Sequence, residues 1–196
     1  MAIVHFITHP EVIIDPRVPV PDWQLSPLGE QRMRLALRQP WLAGVRAIFS
    51  SAERKARDAA ALIGGQLRLP IGVIAELGEN DRSATGYLPR AEFEAMADQF
   101  FAYPEQRVRG WEPAIDAQRR IVDAVERAVA DAPEGDIAIV SHGGVGALLL
   151  CHLRGVPIIG AADQPAGGGG HVYSFDVASR RLLSGWRRIE AAWVLA

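Results

Sequence analysis

Short apolar runs that stop abruptly at small or polar residues alternate along the chain with longer segments of helical period. Ala2 to Ile7 is almost continuously apolar and halts at Thr8-His9-Pro10, which predicts a short buried strand with His9 just past its carboxyl end. Val45 to Phe49 repeats the pattern before Ser50-Ser51, Ile71 to Ala75 predicts a third strand, and Asp136 to Val140 a fourth that enters Ser141-His142-Gly143-Gly144. Between them, Ser26 is placed to cap a helix that opens at Pro27 and runs to about Leu37. Ser50 and Glu53 have capping-box spacing, so a helix is expected from there through Ile63 to a stop at Gly64-Gly65, with Lys55 in its first turn. Phe93, Met96, Ala97, Phe100 and Phe101 follow Pro89 at helical spacing, and Ile115, Val122, Val125 and Val129 follow Pro113; both stripes read as core faces of amphipathic helices. The apolar run to Leu153 predicts a buried helix ended by Gly155, and His171 to Phe175 with Arg181 to Trp186 a terminal hairpin or edge-strand pair. Residues 10–25, rich in proline, and the polar stretch Glu79 to Ser83 lack a period and read as loops, as does Gly167 to Gly170, taken as flexible.

Strands that alternate with helices argue for an α/β fold, a three-layer α/β/α sandwich around a mostly parallel sheet. In such sheets ligands bind outside the carboxyl ends of the strands. Thr8-His9, Ser50 to Lys55, Glu79 to Arg82 and Ser141 to Gly143 fall there. The length of 196 residues and the absence of a repeat or a low-complexity linker predict a single domain over residues 1–196.

Charge narrows the classes of partner. A net charge of −2 gives no basic footprint for nucleic acid or an anionic membrane, so any phosphate recognition must be local. The opening residues carry no basic leader, and charges or prolines interrupt every apolar stretch before it could span a bilayer. Cys151, the single cysteine, sits in an apolar run and reads as a buried packing thiol; with no second cysteine to pair with, a reducing, cytoplasmic setting is expected. No clustered His, Cys and carboxylate spacing implies a metal, and no other cofactor is expected.

Two histidines that each follow an apolar strand could make a nucleophile and its partner. Phosphoryl transfer to imidazole needs a neutral ring nitrogen aimed at phosphorus, positive charge on the equatorial oxygens, and an acid for the departing alkoxide. His5, inside its strand, reads as a core histidine, whereas Trp23 and Trp111 read as packing residues and His171, beside the glycine loop, is only a lesser candidate to reach the pocket mouth.

These residues resemble the histidine phosphatase (phosphoglycerate mutase-like) superfamily over about residues 2 to 155. Phe6-Ile7-Thr8-His9-Pro10-Glu11 lies where that family carries its strand and Arg-His-Gly motif, and Leu25-Ser26-Pro27-Leu28-Gly29 resembles its Leu-Thr-Pro-Leu-Gly. Ser50 to Ala60 resembles its Ser-Ser-x-x-x-Arg-Ala helix, Leu77-Gly78-Glu79 its Leu-x-Glu, and Ile139 to Gly144 its second-histidine motif. The resemblance implies a phosphoglycerate mutase-like fold, with His9 as phosphorylated nucleophile, Glu79 as proton donor, His142 as electrostatic partner, and no metal or cofactor. Helix starts after Ser51 and His142 are expected to aim backbone N–H groups at the same anion, with Gly143 allowing close approach.

The chain departs from the family at three positions. Thr8 replaces the arginine before the nucleophile, Pro10 the glycine after it, and Lys55 the helix arginine, so two bidentate forks are lost and one charge is kept. Arg82, three residues past Glu79, is the leading candidate to fill the vacancy, with Arg17 and Arg54 behind it. Thr8, Lys55, Arg82 and Gly143 are therefore expected to bind a small phosphorylated substrate. The expected activity is phosphomonoester hydrolysis through phospho-His9; the alternatives are a weak or inactive relative that binds a phosphorylated ligand or protein, and a phosphoglycerate mutase-type phosphotransferase. Substrate identity and oligomeric state have no signature here.

Overall fold

A computed structural model describes residues 2–192. Six strands form one sheet in the order β3-β2-β4-β1-β5-β6, comprising β1 (Ile3–Thr8), β2 (Val45–Ser50), β3 (Ile71–Val73), β4 (Asp136–Ser141), β5 (His171–Asp176) and β6 (Leu182–Arg188). The pairs β2·β3, β2·β4 and β1·β4 are parallel and β1·β5 and β5·β6 antiparallel, so only β5 runs against the rest. The mostly parallel α/β sheet read from the sequence is thus present, and the terminal pair is its hairpin edge.

Alternation along each strand separates two apolar layers. Val4, Phe6, Ile137, Ile139, Tyr173 and Phe175 pack with α3 (Arg90–Ala102), α4 (Ala114–Asp131) and α5 (Gly143–Arg154). Ile7, Ala138, Val140, Ile48 and Val172 pack on the other face with α1 (Pro27–Ala36) and α2 (Arg54–Leu67). Cys151 is buried and unpaired by disulfide in the first layer. No helix among the described residues is long and apolar enough to cross a membrane.

Local chemistry accounts for several boundaries. Ser26 accepts from Gly29 N at 3.0 Å and caps α1 with Pro27 at its first position. Three expectations need correction. The Ser50–Glu53 capping box does not form: α2 begins at Arg54, Glu53 is its N-cap with no side-chain capping bond, and the Ser50 hydroxyl donates to Ser51 O. Gly64-Gly65 does not stop α2, which continues to Leu67 and ends at Arg68 in the left-handed region (φ 56°); Gly64 instead gives room to the returning chain, since a Cβ there would meet Leu69 O at 3.0 Å. The buried face of α4 is alanine-rich (Ala114, Ala117, Ala124, Ala128 with Ile121 and Val125), and Ile115 is exposed. Small side chains let α4 approach the sheet and α5 closely, which a count of large apolar residues cannot register.

The Gly167–Gly170 run is also not the loose loop expected. All four glycines have positive φ (128°, 76°, 74° and 66°), a conformation that ordinary side chains resist. Arg32, 5% exposed, donates to Gly167 O, Gly169 O and Gly170 O at 3.0–3.2 Å and to the carboxylates of Glu11 and Glu190. Gly170 N donates in turn to His9 O at 3.0 Å. The loop is tied to the segment that carries His9.

Candidate active site

Strand register brings the candidate residues together. Thr8 lies opposite Ser141 and Ser50 opposite Val140, so β2, β4 and β1 end side by side. His9 N donates to Ser141 O and Ser51 N to Val140 O, both at 3.1 Å, fixing the first residue beyond each strand. The rings of His9 and His142 consequently stand 5.2 Å apart, edge to face. The two histidines predicted to share a pocket do so.

Their protonation states follow from their surroundings. His9 Nδ1 lies 2.9 Å from Pro10 O, and a carbonyl oxygen can only accept, so Nδ1 carries the hydrogen and Nε2 keeps its lone pair. Burial, then His142 and Lys55, push the His9 pKa down to about 3, against weaker opposition from Pro10 O and Glu53. The ring is neutral at physiological pH. His142 is fully buried; burial lowers its pKa, with Lys55 and Arg82 acting the same way and Glu53 and Glu79 opposing. Its Nε2 is 2.7 Å from Ser51 Oγ and 3.3 Å from Glu53 Oε1, while its Nδ1 has no hydrogen-bond partner among the described residues. A carboxylate beside Nε2 favours the hydrogen there, which leaves Nδ1 for an incoming group.

Glu53 is the site residue that sequence reasoning missed. Its Oε2 is 2.5 Å from Lys55 Nζ and its Oε1 accepts from Glu79 N at 2.8 Å. Burial works to raise its pKa, yet His142 and Lys55 bring it down to about 2. Its spacing to Ser50 disguised it as a capping residue, although an acidic side chain two residues before the only lysine of a candidate phosphate pocket was a signal in itself. Lys55, also donating to Val20 O at 2.9 Å, is therefore already matched by an anion.

Glu79 lies at the start of α5 and accepts from Gly144 N at 3.1 Å and Val145 N at 3.0 Å. The helix start expected to bind substrate thus holds a carboxylate of the chain itself, through the same amide geometry and dipole. Burial would raise the Glu79 pKa, but Arg82, His142 and the Asn80 amide outweigh it and hold the group below the usual carboxylate range. Arg120, donating to the carbonyls of Glu76, Gly78 and Glu79 at 2.7–3.1 Å, fixes this loop and was not anticipated.

The remaining candidates divide clearly. Arg82 reaches the pocket, 3.7 Å from Glu79 Oε2, with its guanidinium over the rings of Phe93 and Trp111 at 5.0 and 5.6 Å. Arg17 is spent on Asp15 at the surface, and Arg54 on Gln24 and Asp58. Thr8 is fully buried and donates to Gln164 Oε1 at 2.7 Å. Gly143 opens α5 beneath the Gln164 side chain, into which any Cβ there would run. His171 lies behind Thr8 and not at a pocket mouth, its backbone N–H donating to Thr8 Oγ1 at 3.0 Å. His5 is a core histidine as expected, 2.8 Å from Ser174 Oγ. Trp111 packs inside, whereas Trp23 meets Tyr87 at 5.8 Å.

At neutral pH the pocket therefore holds two neutral imidazoles, two cations (Lys55 and Arg82) and two carboxylates (Glu53 and Glu79). Such a site can present a bare ring nitrogen to an electrophile and can move a proton between carboxylate and ligand.

Residues 17–181 match the histidine phosphatase superfamily (branch 1), a span that begins after His9. No curated protein matches the chain. Among solved structures, a mycobacterial glucosyl-3-phosphoglycerate phosphatase in complex with inorganic phosphate is 21% identical with a TM-score of 0.75, covering 98% of this chain and 100% of its own. YhfR of Bacillus stearothermophilus is 25% identical with a TM-score of 0.74, over 93% of this chain and 94% of its own. A phosphoserine phosphatase of Entamoeba histolytica in complex with 3-phosphoglyceric acid is 16% identical with a TM-score of 0.75, over 97% and 100%.

Proposed function

Since the chain belongs to the histidine phosphatase superfamily, we propose that it hydrolyses a small phosphomonoester through a phosphohistidine intermediate on His9. The observation that carries this reading is the His9 ring, neutral, with Nδ1–H tied to Pro10 O and Nε2 free beside His142. In the first step the Nε2 lone pair bonds to phosphorus, the ester P–O bond breaks, and the leaving oxygen takes a proton from Glu79. Water then bonds to the phosphorus of phospho-His9 and gives a proton to Glu79, the P–Nε2 bond breaks, and inorganic phosphate leaves with His9 restored. Lys55 and Arg82 are the groups placed to hold the phosphoryl oxygens.

The charge balance adds a condition. Glu79 rests ionised, so the proton it gives must first reach it, and a phosphomonoester monoanion brings one. Above the second phosphate pKa, about 6, that proton is gone. With a panel of alkyl phosphomonoesters, kcat/KM should therefore fall by about tenfold per pH unit above roughly pH 6. It should show no acid limb near pH 6.5, because His9 stays neutral down to about 3. His9→Ala should abolish the rate. A rate that survives His9→Ala, or one that rises from pH 6 to 8, would contradict the scheme.

The match between Lys55 and Glu53 and the substitution at Thr8 favour a second reading, a relative that binds phosphate without turning it over. The same panel separates the two: wild type silent toward every ester selects the binder.

A further inference from the structure

Thr8 stands in the arginine position, yet its hydroxyl is directed by its neighbours. The His171 N–H donates into Thr8 Oγ1 at 3.0 Å, and the Thr8 hydroxyl donates to Gln164 Oε1 at 2.7 Å, with a longer approach to His171 O at 3.4 Å. The short contact to Gln164, against the long one to His171 O, directs the hydroxyl hydrogen to the amide and turns the amide oxygen toward Thr8. Oε1 belongs to Thr8, so Nε2 and its two hydrogens take the opposite side, above Gly143. The amide is thereby pinned between the residue before His9 and the residue after His142, with Nε2 donating to none of the described residues.

We infer that Gln164 is a phosphoryl-binding residue of this site: Thr8 holds the carboxamide by its oxygen, and the NH2 group donates to a phosphoryl oxygen between the two histidines. A neutral donor here adds no charge to the pocket. It replaces the family's charged fork by an amide anchored on the residue that took the arginine's place. The assignment rests on the reading of the His9–His142 pocket as a phosphoryl site.

Equilibrium binding of inorganic phosphate, measured by titration calorimetry at pH 7.5, tests it on wild type, Gln164→Ala and Gln164→Glu, with thermal unfolding as the control for folding. Gln164→Ala should weaken phosphate by about tenfold, one hydrogen bond to a charged group. Gln164→Glu still accepts from Thr8 but turns an anion toward the ligand, and should weaken it by about a hundredfold or more. Thr8→Val, which frees the amide to rotate, should fall between wild type and Gln164→Ala. Phosphate affinities unchanged by both Gln164 substitutions would overturn the assignment and leave hydrolysis through His9 standing. Gln164-dependent phosphate binding in a protein that cleaves no ester would uphold the assignment and overturn the hydrolase.

Discussion

Lys55→Met should both destabilise the protein and remove most of its activity. The ammonium is 4% exposed and 2.5 Å from a Glu53 carboxylate that is 14% exposed, so its loss strands an anion in the interior. Breaking one partner out of such a pair typically costs about 3–5 kcal/mol, a large share of the roughly 5–15 kcal/mol that holds a domain together. Activity should suffer through a separate route, since the same cation lies close enough to depress the His9 pKa. Loss of a charge-assisted contact to a phosphoryl oxygen should lower kcat/KM by about 10- to 100-fold. The double variant Glu53→Gln with Lys55→Met distinguishes the two effects. Denaturant unfolding should show most of the stability restored, because no buried charge is then unmatched, while the phosphatase rate stays low. Recovery of rate together with stability would mean that Lys55 serves the fold alone.

Arg32→Met is expected to be comparably damaging although it touches no part of the pocket. Its guanidinium is shared by two carboxylates and three glycine carbonyls, and these acceptors cannot all reach water. Leaving them unpaired should cost about 3–5 kcal/mol in unfolding free energy. Among the described residues the four positive-φ glycines have no other side-chain clamp, and Gly170 N is bonded to His9 O. Hydrogen exchange at Gly170 should accelerate, and kcat should fall more than KM rises, because the nucleophile loses its backbone anchor. Unfolding within about 1 kcal/mol of wild type would show that the loop holds its shape without Arg32.

The contrast between Lys55 and Arg32 shows what the sequence could express. Strand ends were legible because apolar runs stop sharply at Thr8, Ser50 and Ser141, and parallel register then forces the residues beyond them together. Ser26 declared its helix through a local cap. Interactions across many positions had no such signature. Arg32 sits mid-helix like any solvated arginine, and its partners lie near residues 11, 167–170 and 190. Glu53 carried a plausible local role that hid a long-range one, because it lies two positions from a lysine and 89 from the histidine it faces. Glycines misled for the same reason: Gly64 looks like a helix stop only until the returning chain at Leu69 is seen against it. Gln164, in a segment without period, offered no cue at all before Thr8 was found to hold it.

The account turns on a covalent bond to one ring nitrogen. Wild-type protein mixed with a turned-over phosphomonoester, quenched within the first turnover in denaturant at alkaline pH and digested, should give a peptide containing His9 that carries one phosphoryl group, lost on acid treatment as a phosphoramidate is. The His9→Ala protein should give none, and the His142 peptide should be unmodified. Steady turnover with no phosphoryl group on His9 at any time point, or with the group on His142, would contradict it.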